Sequence, residues 1–417
     1  MSGHIDTGPA NTGPVDTGPV DVVIAGGGLI GAGIAWRAVQ RGLTVRVVDP
    51  DPGSGASQAA GGMLAPVSEA TYGEDRLLRL GQESLRRYPE FVAELQAATG
   101  HDVGLRTTGT LLVGFDADDM RALDDLHRYH RELGLPAQRL TPGEARRLEP
   151  GLTPRLRGAL HAAADYSVDA RALHAALRAA LPTGTLVRAR VTAVTVQNGR
   201  AVGVTLADGS VLRGQTVVVA LGAASAALPG APALPVRPVG GQILRARSLD
   251  GEPLAERTVR ALVRGRHVYL VPIGANGMII GATSEEKGWH SRVTVGGVFE
   301  LLRDATEVLP ALAEAELTET LVRFRPGTPD NAPILGPTPV PGLVVATGHY
   351  RNGVLLTPVT ADAIAELLVT GALPEVAADF TIARFTAPES NTARFTAPED
   401  QDSAAGAGRS ASHMPAG

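Results

Sequence analysis

Length, composition and charge already exclude several kinds of protein. The chain has 417 residues, with 38 Lys and Arg against 43 Asp and Glu, and a formal net charge of −5. This balance argues against nucleic-acid binding and electrostatic membrane binding, since both need a basic surface. The absence of cysteine excludes disulfides, thiolate metal sites and any cofactor attached through a Cys sulfur. At roughly 150 residues per domain, the length predicts two or three domains. The absence of cysteine favours a cytoplasmic protein.

Both ends of the chain are repetitive. Thr-Gly-Pro recurs within residues 1–20, and the run Ala-Arg-Phe-Thr-Ala-Pro-Glu at 383–389 returns at 393–399. Such segments bury too little apolar surface to offset their ordering entropy, so we predict disorder in 1–20 and 383–417. Residues 1–20 lack Lys, Arg and an apolar run, and they do not resemble a secretory signal. The uncharged stretch 216–236 carries three prolines, which favour a strand and loop over a membrane span.

Strand and helix patterns alternate along residues 21–382. Strand 21–25, helix 32–41 and strand 44–49 form a strand–helix–strand unit. Parallel units and antiparallel hairpins are interleaved further on, which predicts a mostly antiparallel domain inserted into a nucleotide-binding domain. The remaining predicted elements are helix 76–98, strand 109–115, helix 116–134, a helix opening with a capping box at 141–144, helix 169–181, strands 187–196, 201–206, 217–220, 236–246, 266–272 and 277–281, and helices 298–308 and 356–370.

A glycine-rich turn carries the first functional signal. Gly26, Gly28 and Gly31 form the pattern G-x-G-x-x-G between the first predicted strand and the first predicted helix. The first glycine permits a tight turn, the second lets a pyrophosphate approach the backbone, and the third lets the helix pack close to the strand. The helix amides would face the phosphates, and Asp49 at the end of the next strand could accept from ribose hydroxyls. These residues together predict a dinucleotide site.

Two later features favour a flavin over a nicotinamide. Strand 217–220 ends in the A-x-G turn Ala220-Leu221-Gly222, a place where flavoproteins bring the chain back beside the cofactor. Residues 348–353 precede another predicted helix. The positive end of that helix suits the reduced flavin ring, which carries negative charge.

These motifs, in this order, resemble the D-amino-acid oxidase family of FAD-dependent oxidoreductases, and within it the glycine oxidases of the thiamine-biosynthesis type. The resemblance spans residues 21–382. Besides the glycine-rich turn and Asp49, it rests on the runs AGGML at 60–64, YLVP at 269–272, GAT at 281–283, RPGTPD at 325–330 and GHYRNGVLL at 348–356.

The resemblance implies a mixed α/β fold in which an FAD-binding Rossmann-like domain is interleaved with an antiparallel-sheet substrate domain. We expect the FAD-binding domain to comprise residues 21–82, 158–232 and 320–382. The substrate-binding domain would comprise residues 83–157 and 233–319.

By the same resemblance, FAD is bound non-covalently and the substrate carboxylate is bound by Arg325, helped by Tyr269, with Arg351 close to the same site. No residue is assigned as a catalytic acid or base. A guanidinium can bind a carboxylate through two parallel hydrogen bonds and so fix the position of Cα. We therefore expect positioning of the substrate to account for most of the rate enhancement. The implied FAD contacts are Gly26, Gly28, Leu29, Ile30, Gly31, Asp49, Pro50, Ala56, Ser57, Gly61, Gly62, Met63, Val191, His349, Tyr350, Arg351, Asn352, Gly353, Val354 and Leu355.

Two positions depart from the family pattern. Ser284 and Ala224 are smaller than the apolar side chain and the Trp that the pattern would place there. Both changes would enlarge the substrate pocket or alter its polarity. The sequence therefore leaves glycine, sarcosine and D-alanine unranked as substrates.

The implied reaction is oxidative deamination of glycine, with sarcosine and small D-amino acids as further substrates. The amino acid would lose two electrons to give an imine, which water hydrolyses to glyoxylate and ammonia, while dioxygen becomes hydrogen peroxide. The product would supply thiazole synthesis in thiamine biosynthesis. Two alternatives stay open: a dehydrogenase that passes electrons to a carrier other than oxygen, and a binding protein that keeps FAD as a structural element. Relatives commonly self-associate, so a homo-oligomer is expected.

One pair of histidines raises the question of a metal. His127 and His130 lie three residues apart on one predicted helix, with no third ligand near them in the sequence. We therefore expect a solvated helix face and no metal site.

Overall fold

The computed structural model describes residues 18–385. Most of the N-terminal repeat and nearly all of the C-terminal repeat, where the sequence predicts disorder, lie outside this range. In the described part of the chain, two large sheets and the helices packed on them account for most of the buried residues.

The strands are, in chain order, β1 (Val20–Ala25), β2 (Val45–Val48), β3 (Met63–Leu64), β4 (Thr110–Gly114), β5 (Ala137–Leu140), β6 (Gly158–Ala162), β7 (Tyr166–Ser167), β8 (Leu186–Val187), β9 (Val191–Gln197), β10 (Arg200–Leu206), β11 (Val211–Val219), β12 (Arg237–Arg247), β13 (Thr258–Val263), β14 (Arg266–Ile273), β15 (Gly277–Gly281), β16 (Glu316–Gly327), β17 (Ile334–Pro337) and β18 (Leu343–Thr347). The α-helices are α1 (Leu29–Gln40), α2 (Asp75–Thr99), α3 (Ala117–Glu132), α4 (Pro142–Leu148), α5 (Ala170–Ala179), α6 (Val295–Val308), α7 (Thr357–Thr370) and α8 (Glu375–Ala378). Short 3₁₀ helices cover Ala56–Ala59, Gly222–Ala227, Pro310–Glu314 and Ile382–Phe385.

The first sheet has the strand order β17-β18-β11-β1-β2-β8, and the hairpin β9–β10 is attached to β11. Its centre is parallel, because β1 pairs in parallel with β2 and β11, and β11 with β18. The central strands are runs of Val, Ile and Ala buried on both faces, as expected for a parallel sheet covered on each side. Helices α1, α2, α5 and α7 share one hydrophobic core on this sheet.

The second sheet has the order β16-β12-β15-β14-β13-β4-β6-β5 and is antiparallel except where β13 pairs with β4. Successive side chains point to opposite faces, so each face takes every second residue. One face carries residues such as Leu111, Val259, Leu270 and Ile280, which pack with α6 in a second core. The opposite face is turned toward the first sheet.

The mixed α/β fold and the first strand–helix–strand unit are confirmed, and most predicted helices end within a few residues of their predicted bounds. The predicted capping box at 141–144 is confirmed, with Thr141 as the N-cap of α4, and Asp116 forms a second capping box at the start of α3. The sequence analysis missed β3, β5, β6, β7, β13, β16, β17 and β18. Strand β16 is the longest of these, and its charged first half hides the strand pattern.

The observed sheets divide the chain differently from the predicted domain boundaries at three places. Strand β6 and the whole of β16 pair in the second sheet, although the prediction gave residues 158–162 and 320–327 to the FAD-binding domain. Helix α2 packs with α1 and α7 on the first sheet, although most of it was assigned to the substrate domain. Strand pairing and helix docking are tertiary properties, and local periodicity does not encode them.

The described residues include no helix that is long and apolar enough to span a bilayer.

The contact between α1 and β1 can be tested with two helical glycines. A Cβ added to Gly31 would lie 1.9 Å from Gly26 O, whereas one added to Gly296 in α6 meets nothing within 4 Å. We expect Gly31→Ala to destabilise the fold by about 1–3 kcal/mol through overpacking. Gly296→Ala should be neutral or stabilise it by up to ~1 kcal/mol, because alanine favours helix. Thermal unfolding followed by circular dichroism measures both, and equal stability of the two variants would contradict the close packing.

Candidate functional site

One large cavity, of about 830 Å³, lies between the first sheet and the free face of the second. The carboxyl ends of four parallel strands open into it: Gly26 follows β1, Asp49 follows β2, Ala220 follows β11, and Thr347 ends β18. Ligands of open α/β sheets bind at this edge. The opposite wall is formed by residues of β12, β13, β14 and β16.

The glycine-rich turn has the close contacts that its spacing predicts. Gly26 has φ +107°, and a Cβ there would lie 2.4 Å from Ala220 O. Gly28 is the N-cap of α1, and the Leu29 amide donates to Ser57 Oγ at 3.1 Å. The first turn of α1 therefore faces the cavity with a hydroxyl beside it, which is a suitable place for a phosphate.

Asp49 is fixed beside the same turn. Its Oδ2 accepts from the Gly27 amide at 2.7 Å, and its Oδ1 accepts from the Asp51 amide at 2.9 Å. On the other side of the turn, His174 Nε2 lies 2.7 Å from Gly27 O. Burial lowers the pKa of His174, so the neutral imidazole donates to this carbonyl. The sequence analysis identified Asp49 but not His174.

The segment that carries Ser57 is held by two arginines that the sequence analysis also missed. Arg323 on β16 donates from Nε to Ser54 O at 2.6 Å and from Nη2 to Gln58 Oε1. Arg171 on α5 donates to Gln58 O at 2.9 Å. Both guanidiniums therefore position the short helix Ala56–Ala59, and Arg323 also lines the cavity.

The run after β18 forms another side of the cavity. His349 is buried, and burial lowers its pKa to about 3. Its Nε2 lies 3.1 Å from Thr360 Oγ1 on α7, so a neutral imidazole is held against the helix. Gly348, with φ +75°, and Tyr350, with φ +46°, bend the chain here, and the Tyr350 amide donates to Pro326 O at 3.0 Å.

Tyr269 and Arg325 meet on the free face of the second sheet. Arg325 Nη1 donates to Thr283 O at 3.1 Å, and a Cβ on Gly241 would lie 2.5 Å from that nitrogen. Burial raises the pKa of Tyr269, while the adjacent Arg325 guanidinium opposes the shift. The structure thus brings together a neutral phenol and a guanidinium that donates to an uncharged main-chain carbonyl.

Arg351 lies at the same end of the cavity but is held by a carboxylate. Its Nη2 is 3.5 Å from Glu69 Oε1, and the same oxygen is 3.6 Å from Nη2 of Arg260 on β13. Arg260 also donates to Ser68 O. Glu69 and Arg260 line the cavity and were not found from the sequence.

The structure places the predicted cofactor residues in two groups. The larger group lines the cavity: Gly26, Gly28, Leu29, Ile30, Asp49, Ala56, Ser57, Gly61, Gly62, Met63, His349, Tyr350, Arg351, Gly353 and Val354. The smaller group lies outside the lining: Gly31, Pro50, Val191, Asn352 and Leu355.

Each residue of the smaller group has a local reason for its place. Gly31 packs against Gly26, and Pro50 is exposed in the turn after β2. Val191 begins the hairpin β9–β10 and packs against a separate core of the first sheet, outside the cavity lining. Asn352 and Leu355 line a separate small cavity beside Glu69.

Two further expectations concern single side chains. Ser284 lines the cavity, whereas Ala224 is exposed in the Gly222–Ala227 helix and does not. The expected solvated face of His127 and His130 is wrong, because His130 lies on the buried face of α3 and burial lowers its pKa. Within residues 18–385, no cluster of three or more His, Asp or Glu side chains has the arrangement of a metal site.

The cavity fits a dinucleotide with a planar reactive end. Glycines allow close approach of a ligand at the first turn of α1, and Asp49 stands where a ribose would lie. The opposite end of the cavity is closed by Tyr269, Arg325 and the run that begins at His349. The residues at the carboxyl ends of β1, β2, β11 and β18 line the cavity between its two ends. This is the arrangement expected for FAD with its flavin ring next to a guanidinium.

Comparisons with known proteins agree with this geometry. The family model described as FAD dependent oxidoreductase (DAO) matches residues 21–367. The chain is 36% identical over 356 residues to the glycine oxidase of Geobacillus kaustophilus, covering 83% of this chain and 92% of that protein. It is 36% identical over 353 residues to the bifunctional protein ThiO/ThiG of a Nostoc species, covering 84% of this chain but 52% of that protein. The chain thus spans about half the length of that relative.

Solved structures give the same result. The crystal structure of Geobacillus kaustophilus glycine oxidase superposes with a TM-score of 0.80 at 34% identity, covering 88% of this chain and 99% of that one. An iminodiacetate oxidase from Chelativorans superposes with a TM-score of 0.76 at 28% identity, covering 86% and 98%.

The role of Arg323 in holding the Ser57 segment can be tested by flavin retention. Hydrogen bonds from a charged donor contribute ~1.5–3 kcal/mol each, so Arg323→Met should weaken FAD binding roughly tenfold or more. The matched control is Arg213→Met, since Arg213 is exposed on β11 and bonds only weakly to Gln197. Fluorescence titration of apoprotein with FAD measures both dissociation constants. Equal affinities would show that the guanidinium does not support the cofactor site.

The buried His349 predicts a dependence of stability on pH. Its pKa is about 3 in the fold, against about 6.5 in an unfolded chain. Between these values the unfolded state binds a proton that the folded state does not, so stability falls as pH is lowered from about 6.5 toward 3. His349→Gln should show a smaller loss of Tm between about pH 7 and pH 5 than the wild type.

The control for this experiment is His101→Gln, because His101 is exposed. Buried Asp165, whose pKa is raised to about 6, acts in the opposite direction between about pH 4 and 6, but it is present in every variant and cancels in the comparison. If the Tm of His349→Gln fell with pH as steeply as that of the wild type, the assignment of this pH dependence to His349 would be contradicted.

Proposed function

Because the chain belongs to the family of FAD-dependent oxidoreductases, we propose that it oxidises small amino acids with glycine as its main substrate. The observation that carries this proposal is the meeting of Arg325 and Tyr269 in the same cavity as the glycine-rich turn. The relatives named glycine oxidase support it, since they match most of this chain and of their own length.

The substrate carboxylate would bind to Arg325. Its Nη1 is oriented by Thr283 O, and the glycine at position 241 leaves the guanidinium flat against β12. Two parallel N–H donors hold a carboxylate in one orientation. Tyr269 would add one hydrogen bond from a phenol that burial keeps protonated.

Bound FAD would accept two electrons and the Cα hydrogen of the substrate. The chain's contribution is to bind FAD through the lining residues of the glycine-rich turn and the His349 run, and to fix Cα beside the ring. The neutral His349 adds no charge there. Positioning of this kind can supply a large part of a rate enhancement without a strong acid or base.

The proposed overall reaction is glycine plus dioxygen plus water giving glyoxylate, ammonia and hydrogen peroxide. The product would supply thiazole synthesis in thiamine biosynthesis, as the family resemblance implies. Self-association into a homo-oligomer and a cytoplasmic location stay predictions.

The second candidate is a dehydrogenase that passes electrons to another carrier, and the third is a protein that keeps FAD only for structure. Anaerobic reduction of the yellow holoprotein by glycine separates the third from the first two. Peroxide yield then separates those two: one peroxide per glycine in air supports the oxidase, whereas dye reduction without peroxide supports the dehydrogenase.

The carboxylate anchor can be tested by replacing Arg325. Arg325→Ala should raise the apparent KM for glycine on the order of a hundredfold or more, because a carboxylate would lose its charged partner. FAD should remain bound, since the cofactor contacts are elsewhere. Steady-state kinetics and the flavin spectrum measure both effects.

The matched control is Arg237→Ala on β12, an arginine that bonds to Glu286 and Thr328 O and does not line the cavity. Its KM should stay close to that of the wild type. An unchanged KM in Arg325→Ala would remove Arg325 from the substrate site.

A further inference from the structure

The carbonyl that orients Arg325 belongs to a short segment, residues 283–285, that follows β15. Thr283 O accepts from Arg325 Nη1 at 3.1 Å. The segment runs alongside β12, because the Glu285 amide donates to Gly240 O and the Gly240 amide donates to Glu285 O, both at 2.8 Å. Thr283 lines the cavity, whereas Glu285 does not. The direction of the Thr283 carbonyl therefore depends on the contacts that fix this segment.

Gln242 on β12 joins the segment to the first turn of α6. Its neighbour Gly241 lines the cavity, so the Gln242 side chain lies on the opposite face of the sheet, where a Cβ on Gly297 would be 2.4 Å from its Nε2. Nε2 donates to Glu285 Oε1 at 2.6 Å and to Thr294 Oγ1 at 2.9 Å, and Oε1 accepts from the Thr294 amide at 2.9 Å. Gln242 is 1% exposed. A buried amide with all these partners holds its neighbours in one arrangement.

The hydroxyl of Thr283 belongs to the same network. Its Oγ1 accepts from the main-chain amide of Gln242 at 2.8 Å and donates to Glu285 Oε1, also at 2.8 Å. The Thr283 amide donates to Gln242 O at 3.2 Å. These hydrogen bonds fix the orientation of Thr283, so its carbonyl keeps one direction toward Arg325.

Glu285 is the charged member of this network. Burial alone would raise its pKa, but hydrogen bonds from Gln242, Thr283 and Lys287 outweigh burial and lower the pKa. The carboxylate is therefore ionised at about pH 7, and its hydrogen bonds are stronger than those of a neutral acceptor. Without the amide of Gln242, this half-buried carboxylate would lose a donor, which is costly. The segment 283–285 would then move to find another partner.

We propose that Gln242 is a positioning residue for the substrate, because it fixes the Thr283 carbonyl that orients Arg325. This inference rests on the proposed function, in which Arg325 binds the substrate carboxylate. Gln242 itself does not line the cavity, so it acts through the segment 283–285. When the carbonyl shifts, the guanidinium loses its fixed orientation and the carboxylate binds more weakly.

The first test removes the amide of Gln242 and keeps the length of the side chain. Gln242→Met should raise the KM for glycine about tenfold, while kcat per bound flavin changes less than about threefold, because the weakened anchor corresponds to about one hydrogen bond. The Kd of acetate, a carboxylate without an amine, should rise by a similar factor. Steady-state kinetics measure the first effect, and titration followed by the flavin spectrum measures the second. An unchanged KM and an unchanged acetate Kd would overturn the proposal.

The matched control is a buried residue of α6 that lies outside the network. Val308→Ala removes two carbons from the second core and should lower Tm through the cavity that it leaves. It should leave the KM for glycine at the wild-type value. If Val308→Ala raised KM as much as Gln242→Met, a general loosening of α6 would explain the effect and the proposal would be overturned.

The second test exchanges the donor and the acceptor. The double variant Gln242→Glu with Glu285→Gln keeps one carboxylate and one amide, so the hydrogen bond forms in the reverse direction. The KM for glycine should return to within about threefold of the wild type, because the two positions are coupled. A KM as high as that of Gln242→Met would overturn the role of this pair.

A further variant keeps the proposal testable if Gln242→Met does not retain FAD. Thr283→Val removes the hydroxyl from the network and keeps both the shape of the side chain and the carbonyl. A KM for glycine raised about fivefold or more supports the proposal, since two hydrogen bonds that fix the carbonyl are lost. A wild-type KM in this variant overturns it.

The outcomes also separate this inference from the proposed function. If glycine reduces the wild-type flavin and Arg325→Ala raises KM but Gln242→Met does not, the positioning inference fails while the proposed function stands. If glycine does not reduce the wild-type flavin, the proposed function fails. Acetate binding, which needs no turnover, then decides the role of Gln242.

Discussion

The packing of Tyr269 between two glycines is the contact on which the site depends. A Cβ on Gly61 would lie 2.9 Å from the ring, and one on Gly281 would lie 2.2 Å from its Cζ. Gly61 belongs to the loop beside the glycine-rich turn, and Gly281 ends β15 of the second sheet. The phenol can stand at this position only because both neighbours lack a side chain, and it thereby joins the cofactor side of the cavity to the substrate side.

The two ends of the site differ in how their charges are compensated. Around the glycine-rich turn, the Gly27 amide donates to Asp49 and the Gly27 carbonyl accepts from a neutral His174, so both polar groups of this residue are satisfied and the turn is fixed. At the other end, Arg325 contacts an uncharged carbonyl, whereas Arg260 and Arg351 share Glu69. A carboxylate ligand therefore gains most at Arg325, because no protein carboxylate competes for it there.

Sequence reasoning succeeds where a signal is local. The turn Gly26–Gly31 and Asp49 lie within one strand–helix–strand unit, so spacing alone predicts their meeting. Arg260 and Arg323 could not be found in this way, because each faces the cavity only through the register of its strand with distant strands. Val191 shows the converse: it was assigned by resemblance, yet it lies outside the cavity lining and packs against a separate core of the first sheet. Period-two alternation along β13 and β14 is the signal that could have indicated Arg260.

Strand β16 joins the cofactor side of the cavity to the substrate side, because its alternate side chains point to the same face of the sheet. Arg323 and Arg325 are two residues apart and so share one face, about 7 Å apart along the strand. The first holds the Ser57 segment, and the second is the proposed carboxylate anchor. A slip of one residue would turn both guanidiniums to the opposite face. The irregularity in the β12–β16 pairing lies at Arg245 and Ala246, opposite the start of β16, so the register is regular where both arginines stand. One strand's pairing thus fixes the distance between flavin site and substrate anchor.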